Sequence, residues 1–311
     1  MNKISVLGSM NMDVVLKVNK MPKVGETIFS NSLQNIPGGK GANQAVAAKR
    51  LGAEVYMIAK IGKDSTGQAL KESLIKDNID VDCVFEDEEN PTGTAIITVD
   101  EEANNSIIVA AAANMHISLN EIMESEKKIR ESEIIIAQFE TPVEATIEAF
   151  KRAKSLNKIT ILNPAPAKKI PEELLTYCDL VVPNETEAEE LTKVKVFDLE
   201  SAKKAADKFL EKGVKYVIIT LGSKGAAVIS SDKAELVPAY KVKALDTTAA
   251  GDTFIGGFSS KLDADKFDFE SIKSAVKFGN KASSVAVQRE GAQPSIPYLK
   301  EIIELYGEDL R

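Results

Sequence analysis

Asp246-Thr247-Thr248-Ala249-Ala250-Gly251-Asp252-Thr253-Phe254 is the stretch of this chain best equipped for chemistry. It lies between a β-rich stretch ending near Leu245 and an apolar helical pattern over residues 251–262. Ala249, Ala250 and Gly251 are small, so the backbone can come close to a ligand. A helix starting at Gly251 leaves its first amide N–H groups without intrahelical acceptors. Those amides and the helix dipole can hold an anion. Asp252 then stands in the first turn, a carboxylate beside concentrated positive potential. That combination suits phosphoryl transfer: amides stabilise phosphate charge, and the carboxylate takes the proton of an attacking hydroxyl. The competing reading is that Asp252 merely caps a helix, because Asp is favoured near N-termini anyway.

A second glycine-rich stretch, Pro37-Gly38-Gly39-Lys40-Gly41-Ala42-Asn43-Gln44-Ala45, precedes a helical pattern that ends at Leu51-Gly52. Its glycines permit a strained turn and close ligand approach. Lys40 and Asn43 can point to one side. It is not a Walker A loop, because no Gly-Lys-Ser/Thr closes the spacing. It is not a dinucleotide fingerprint either, because the third glycine is missing. Asn11, Asp13, Asn43 and Glu140 come from separate segments, each at the expected ligand-facing end of its element. With Lys40 they offer acceptors and donors for several hydroxyls of a polyol. Asn184 and Glu187 read equally as a capping box or as a pair near Mg²⁺ and phosphates, acting through water. Thr220 and the turn from Gly222 to Gly225 form either a plain β-turn or a backbone wall against a nucleotide.

The elements that must position these residues alternate. Apolar runs at residues 4–8, 54–61, 134–137, 160–162, 180–182, 216–220 and 226–230 read as strands. Helical patterns occupy residues 65–77, 118–130, 198–212, 269–287 and 297–305, with Ser118 and Glu121 forming a capping box. Pro142 fits the first turn of a further helix. This βαβα order predicts an α/β fold: a mostly parallel, doubly wound, Rossmann-like sheet with helices on both faces. Residues 14–18 and 27–30 read as one hairpin outside that sheet. Residues 94–99 and 106–110, joined by the turn at 100–105, read as another. Together they predict a small β-sheet lid from segments of about 13–35 and 93–111 within a single domain, 1–311.

The chain has 311 residues and a formal net charge of -8. That balance argues against nonspecific nucleic-acid binding, which needs a basic face. A polyanionic ligand must therefore be held by local features. No stretch has the length of a membrane span, and the start is too short an apolar run for a signal peptide. Cys83 and Cys178 form no C-x-x-C pair, which points to a reducing cytoplasm. His116 is the lone histidine and reads as structural.

On these residues the chain resembles the ribokinase-like carbohydrate kinase family over essentially its whole length. The segment from Gly38 to Ala45 is similar to the family's first signature, and that from Asp246 to Phe254 to its second. Asn11-Met12-Asp13 and Gly291-Ala292-Gln293-Pro294-Ser295 are similar to the ribose branch rather than the adenosine or fructose branches. The resemblance implies ATP-dependent transfer of the γ-phosphoryl group to O5 of D-ribose. It implies Asp252 as catalytic base, with the amides of Ala250, Gly251 and Asp252 as an anion hole. Asn11, Asp13, Gly39, Lys40, Asn43 and Glu140 match the sugar-binding positions. Asn184, Thr220, Gly222, Ser223, Gly225, Gly251 and Asn280 match ATP-binding positions, and Glu187 completes a motif linked to Mg²⁺ and phosphate. Asp246, Thr248, Ala286, Arg289, Gly291 and Ser295 match the positions for a monovalent cation, K⁺, most of them through backbone carbonyls. A homodimer through the lid sheet is expected. One departure stands out: Ala110-Ala111-Ala112-Ala113-Asn114 replaces the usual Gly-Ala-Asn after the second lid hairpin. Alternatives are a kinase of another small sugar or nucleoside, and a non-catalytic sugar sensor on the same fold.

Overall fold

The computed structural model describes residues 1–102 and 104–307. The strands in chain order are β1 (Lys3–Leu7), β2 (Asn11–Lys17), β3 (Ser32–Gly38), β4 (Glu54–Gly62), β5 (Asp80–Asp87), β6 (Gly93–Val99), β7 (Asn105–Ala110), β8 (Ile134–Ala137), β9 (Ile159–Leu162), β10 (Leu180–Val181), β11 (Tyr216–Thr220), β12 (Ala226–Ile229) and β13 (Ala234–Val237). The helices are α1 (Lys40–Arg50), α2 (Ser65–Lys76), α3 (Leu119–Glu124), α4 (Glu126–Glu131), α5 (Val143–Ser155), α6 (Glu172–Thr176), α7 (Glu185–Thr192), α8 (Leu199–Leu210), α9 (Ala250–Lys261), α10 (Phe269–Ala286) and α11 (Leu299–Tyr306).

The main sheet has nine strands in the order β13-β12-β11-β10-β9-β8-β1-β4-β5. Neighbours from β11 across to β5 are parallel, and β12 and β13 close the other edge antiparallel. Strands such as β8, with the sequence Ile-Ile-Ile-Ala, are buried throughout because helices cover both faces. Alternate side chains feed separate cores. Ile4, Val6, Ile134 and Ile136 pack with residues of α1, α2, α9 and α10. Leu7, Ile135 and Ala137 pack with residues of α3 to α8. The doubly wound, mostly parallel architecture expected from the βαβα order is therefore present.

A separate four-stranded sheet has the order β3-β2-β6-β7. Its register pairs Asp13 with Ala95 and Val14 with Ile96. Because successive side chains alternate, Asn11, Asp13 and Ala95 share one face, while Val14, Leu16, Leu33, Ile96 and Ile108 share the other. The first face is buried at Asn11, Asp13 and Ala95; the second exposes Leu33, Ile96 and Ile108.

Helix α9 lies between α1 and α10. Its seat on α1 is close: a Cβ at Gly256 would fall 2.4 Å from the Ala47 Cβ and 2.6 Å from the Ala48 nitrogen. Only glycine permits that approach, and the approach brings the N-terminal turn of α9 beside the start of α1.

Several elements differ from the expectations. The second strand of the first hairpin is Ser32–Gly38, not residues 27–30, because β2 pairs residue by residue from Asn11↔Gly38 to Lys17↔Ser32. Strand β5 was not foreseen; it is a charged edge strand, Asp-Val-Asp-Cys-Val-Phe-Glu-Asp, with no clean alternation. β13 and the short α6 were not foreseen either. The helix expected over 118–130 is broken at Ser125, whose hydroxyl donates to the Glu121 carbonyl; the capping box of Ser118 and Glu121 is present. The β-rich stretch expected to run to Leu245 ends at Val237, and residues 238–249 run irregularly, mostly exposed. The expected turn at 100–105 includes residue 103, outside the described residues.

Ala112 takes φ 45°, a left-handed conformation, at the glycine of the usual Gly-Ala-Asn. An L-residue there is strained by about 1–2 kcal/mol, offset in part by the entropy a glycine would add to the unfolded chain. Ala112→Gly should therefore raise unfolding stability by about 0.5–1 kcal/mol. A urea titration checks this, and a lower midpoint would contradict the strain.

Candidate functional site

Asp252 is buried, in the first turn of α9, and floors a cleft of about 190 Å³ at the C-terminal edge of the main sheet. Lys40, Asn163, Asn184, Glu187, Thr220, Ala250 and Gly251 also line it. Each comes from the end of an element. Lys40 opens α1; Asn163 follows β9; Asn184 caps α7; Thr220 ends β11 and bridges to Asn184. This edge is where parallel sheets place ligands, because loops diverge there and helix N-termini converge.

Both oxygens of the Asp252 carboxylate are held. Asn43 Nδ2 donates to Oδ2 at 3.0 Å, and Gln44 Nε2 donates to Oδ1 at 2.9 Å. Ala249 turns the chain into α9 with φ 57°. The amide of Ala250 donates to the Thr247 carbonyl and that of Thr253 to the Ala249 carbonyl. Between them, the amides of Gly251 and Asp252 have no acceptor among the described residues. Of the three amides expected to face an anion, two are thus available and Ala250's is engaged.

Asn43 contacts Asp252 directly, the charges of Glu140 and Asp252 act on Asp13, and a Cβ on Gly39 would fall 2.7 Å from the Asn11 nitrogen. Glu140 accepts from Ser9 Oγ at 2.5 Å and from the Lys40 amide at 3.2 Å. Asn11 Oδ1 accepts from Asn114 Nδ2 at 2.8 Å, and Asn114 Oδ1 accepts from the Met10 amide at 2.9 Å. Asn114, two residues after the strained Ala112, thus anchors Asn11. Asn43 Oδ1 is buried without a partner among the described residues, an acceptor open to a ligand hydroxyl.

Four carboxylates, from Asp13, Glu140, Glu187 and Asp252, act on a single ammonium or on one another. Burial, then the charges of Glu140 and Asp252, push the Asp13 carboxyl up to about 7. Burial raises Glu187 as well, against the Asn184 amide and Lys40. For Lys40, burial favours the neutral form, but Asp252, Glu140 and Glu187 outweigh it and the ammonium is stabilised.

The remaining expected residues fall outside this centre. Gly222 and Ser223 lie in a 3-10 turn that closes at Gly225, directly after Thr220; none of the three lines the cleft. Asn280 donates to the carbonyls of Val237 and Pro238, at 3.1 and 3.2 Å, fixing β13 against α10 rather than facing Asp252. Asp246 joins two loops. Its Oδ1 accepts from the Thr248 amide and hydroxyl at 2.9 and 2.7 Å, and its Oδ2 from the Gly291 amide at 2.8 Å. Burial pushes its carboxyl up, and those donors outweigh this and hold it below the usual range. The Leu245 and Asp246 amides donate to the Val287 carbonyl, just beyond Ala286. Arg289 pairs with Glu301, and Ser295 is buried.

A family model described as pfkB family carbohydrate kinase matches residues 1–299. The chain is 43% identical over 302 residues to a ribokinase of Staphylococcus aureus, covering 97% of this chain and 98% of that protein. It is 44% identical over 301 residues to a ribokinase of Haemophilus influenzae, covering 97% of each. The structure of Arabidopsis thaliana ribokinase complexed with ribose and ATP matches with a TM-score of 0.89 at 32% identity, over 98% of both chains.

The chain belongs to the pfkB family of carbohydrate kinases. Within this pfkB-family site, the sequence reading did not single out Gln44, Asn163, Asn114 or Ser9. Asn163 did show one signal, a polar residue directly after a buried strand. Nothing in the sequence marks Gln44 as facing Asp252, since both belong to helical patterns far apart in the chain.

The raised Asp13 group has a stability consequence. Between the unfolded value near 3.8 and the folded value of about 7, the folded state binds the extra proton. Its contribution is complete at the acid end of that window and is lost as pH rises through about 7. Thermal denaturation of the ligand-free protein across this window should show Asp13→Asn flattening the decline and melting higher than the parent at the alkaline end. A parallel, unflattened decline would contradict the assignment.

Proposed function

We propose that this protein is an ATP-dependent sugar kinase that phosphorylates D-ribose at O5 to give ribose 5-phosphate. The observation that carries the reading is Asp252, a clamped carboxylate in the first turn of a helix whose Gly251 and Asp252 amides have no acceptor among the described residues. The whole-length likeness to proteins named ribokinase supports ribose as the sugar.

In this reading the sugar lies between the two sheets. Asn11 and Asp13 bind its hydroxyls from the small sheet; Gly39, Lys40, Asn43 and Glu140 bind them from α1 and β8. The primary alcohol points at Asp252. The carboxylate takes the O5 proton, O5 forms a bond to the γ-phosphorus, and the bond from that phosphorus to the β,γ-bridging oxygen breaks, releasing ADP. The Gly251 and Asp252 amides receive the phosphoryl charge. A Cβ built on Gly251 meets no atom within 4 Å, so the space above the helix start is free for phosphate. Ala250 contributes by its small size there.

Asn184, Thr220 and the Gly222–Ser223–Gly225 turn flank the nucleotide, and Asn280 shapes the adenine side by holding β13. No group of three or more acidic, His or Cys side chains suited to a metal exists among the described residues. Glu187, which lines the cleft, is the carboxylate that would hold Mg²⁺ through water, with phosphates as the ion's main ligands. Bound there, the ion neutralises phosphate charge. Asp246, a half-buried carboxylate that ties Thr248 to Gly291, would hold K⁺ together with Thr248, Ala286, Arg289, Gly291 and Ser295, most of them through backbone carbonyls. A cation there would rigidify the loop that leads into the anion hole.

Residues 13–35 and 93–111 act as the lid, closing over ribose to exclude water. The apolar outer face of Val14, Leu16, Leu33, Ile96 and Ile108 supports a homodimer formed through the lid. Buried free thiols at Cys83 and Cys178 suit a cytoplasmic setting, and no helix among the described residues could cross a membrane.

An ADP-release assay on ribose, deoxyribose, fructose and adenosine, with K⁺ or Na⁺, tests the function. Ribose should be fastest and K⁺ should raise the rate. Asp252→Ala should lower turnover about 10²- to 10⁴-fold while ribose still binds. Near-normal turnover by the variant would reject Asp252 as base, and a faster rate on another acceptor would reject ribose. For the lid, Ile108→Lys should convert the dimer to monomers in sedimentation; a parent that sediments as a monomer would reject the interface.

A further inference from the structure

Gln44 is fully buried, follows Asn43 on α1, and has no part in the reaction as described above. Its side-chain amide meets three partners. Nε2 lies 2.9 Å from Asp252 Oδ1 and 3.1 Å from Asn163 Oδ1, and Oε1 lies 2.7 Å from Gln138 Nε2. The partners' chemistry fixes the sense of every bond. Asn163 Nδ2 donates to the Val182 carbonyl at 2.9 Å. A carbonyl can only accept, so Asn163 must turn its oxygen toward Gln44. An ionised carboxylate can only accept as well. The end of Gln44 that faces both must be its NH₂ group, and its oxygen must face the NH₂ of Gln138. A flipped Gln44 would set an amide oxygen against two acceptors and lose all three bonds.

The geometry at Asp252 gives this network a purpose. A carboxylate rotates broadly about its terminal torsion. Asn43 holds one oxygen and Gln44 the other, from consecutive positions of a single helix. Two donors on two oxygens fix the carboxylate plane, and each oxygen keeps a second lone pair. Gln138, Asn163 and Val182 follow β8, β9 and β10, so the clamp is referenced to the edge of the rigid sheet rather than to a loop.

We propose that Gln44 is a positioning residue: with Asn43 it locks the plane of the Asp252 carboxylate so that a free lone pair faces the sugar hydroxyl. Its own orientation is set by the Val182 carbonyl through Asn163 and by Gln138. This assignment rests on Asp252 being the base. Orientation of a reacting group is a large component of catalysis, and small misplacements are costly.

The test is Gln44→Met, which keeps length and removes the donor. Its kcat for ribose should fall about 10- to 100-fold, with KM for ribose little changed. In an Asp252→Asn background the same substitution should leave the residual rate unaltered, because the group it positions is gone. A folded Gln44→Met with parental kcat would overturn the proposal. So would an equal loss in both backgrounds, which marks a general packing defect. Gln44→Glu keeps the shape and sets a second carboxylate against Asp252; it serves if the Met variant does not fold, and parental kcat in it would equally overturn the proposal. A wild-type protein that does not phosphorylate ribose would sink the functional reading itself.

Discussion

The docking of α9 on α1 is the constraint on which the site depends. A carboxylate as buried as Asp252 needs donors, and the nearest belong to Asn43 and Gln44 on a helix some two hundred residues earlier in the chain. Those donors reach it only because Gly256 lets the two helices touch at Ala47 and Ala48. The same contact turns the free amides of α9 toward the cleft that Lys40 enters from α1. The helix pair therefore places acid, ammonium and anion-binding amides at one point, and the parallel sheet supplies the edge on which that point sits.

Charge in the cleft is unbalanced without ligands. Asp252, Glu140 and Glu187 act on Lys40, and Glu140 and Asp252 also repel the buried Asp13. Asp13 answers by holding a proton into the neutral range. Such a cluster is poor as a structural core and well suited to a polyhydroxyl ligand, whose hydroxyls can donate to several carboxylates at once. The free acceptor on Asn43 has the same meaning. The small sheet completes the enclosure, with one face carrying Asn11 and Asp13 inward and the other presenting aliphatic side chains outward.

The strained Ala112 shows how local cost supports this arrangement. Its left-handed backbone delivers Asn114 to Met10 and Asn11. Alanine performs the turn that glycine would make without strain, and the hydrogen bonds of Asn114 hold it there.

Much was legible in the residues themselves. Short, β-branched apolar runs such as Ile134–Ala137 fit central strands, and in a doubly covered sheet every side chain of such a strand is buried. Small residues before Asp252 and glycines before Lys40 mark helix starts, and Ala249, Ala250, Gly251 and Lys40 do line the cleft. Local chemistry suffices for such features, since caps and turns are decided within a few residues. Strand β5 and the shift of β3 to Ser32–Gly38 were not legible, because edge pairing is chosen by a partner and not by the strand's own pattern. The same holds for Gln44, Asn163 and Gln138. Their types permit many bonds, and only the packing of α9, α1 and three strand ends decides that Asn163 and Gln138 hold Gln44 while Gln44 holds Asp252. Sequence alone marked segments that line the cleft; the fold decided which side chains meet, because hydrogen-bond partners are set by distances that chain separation does not encode.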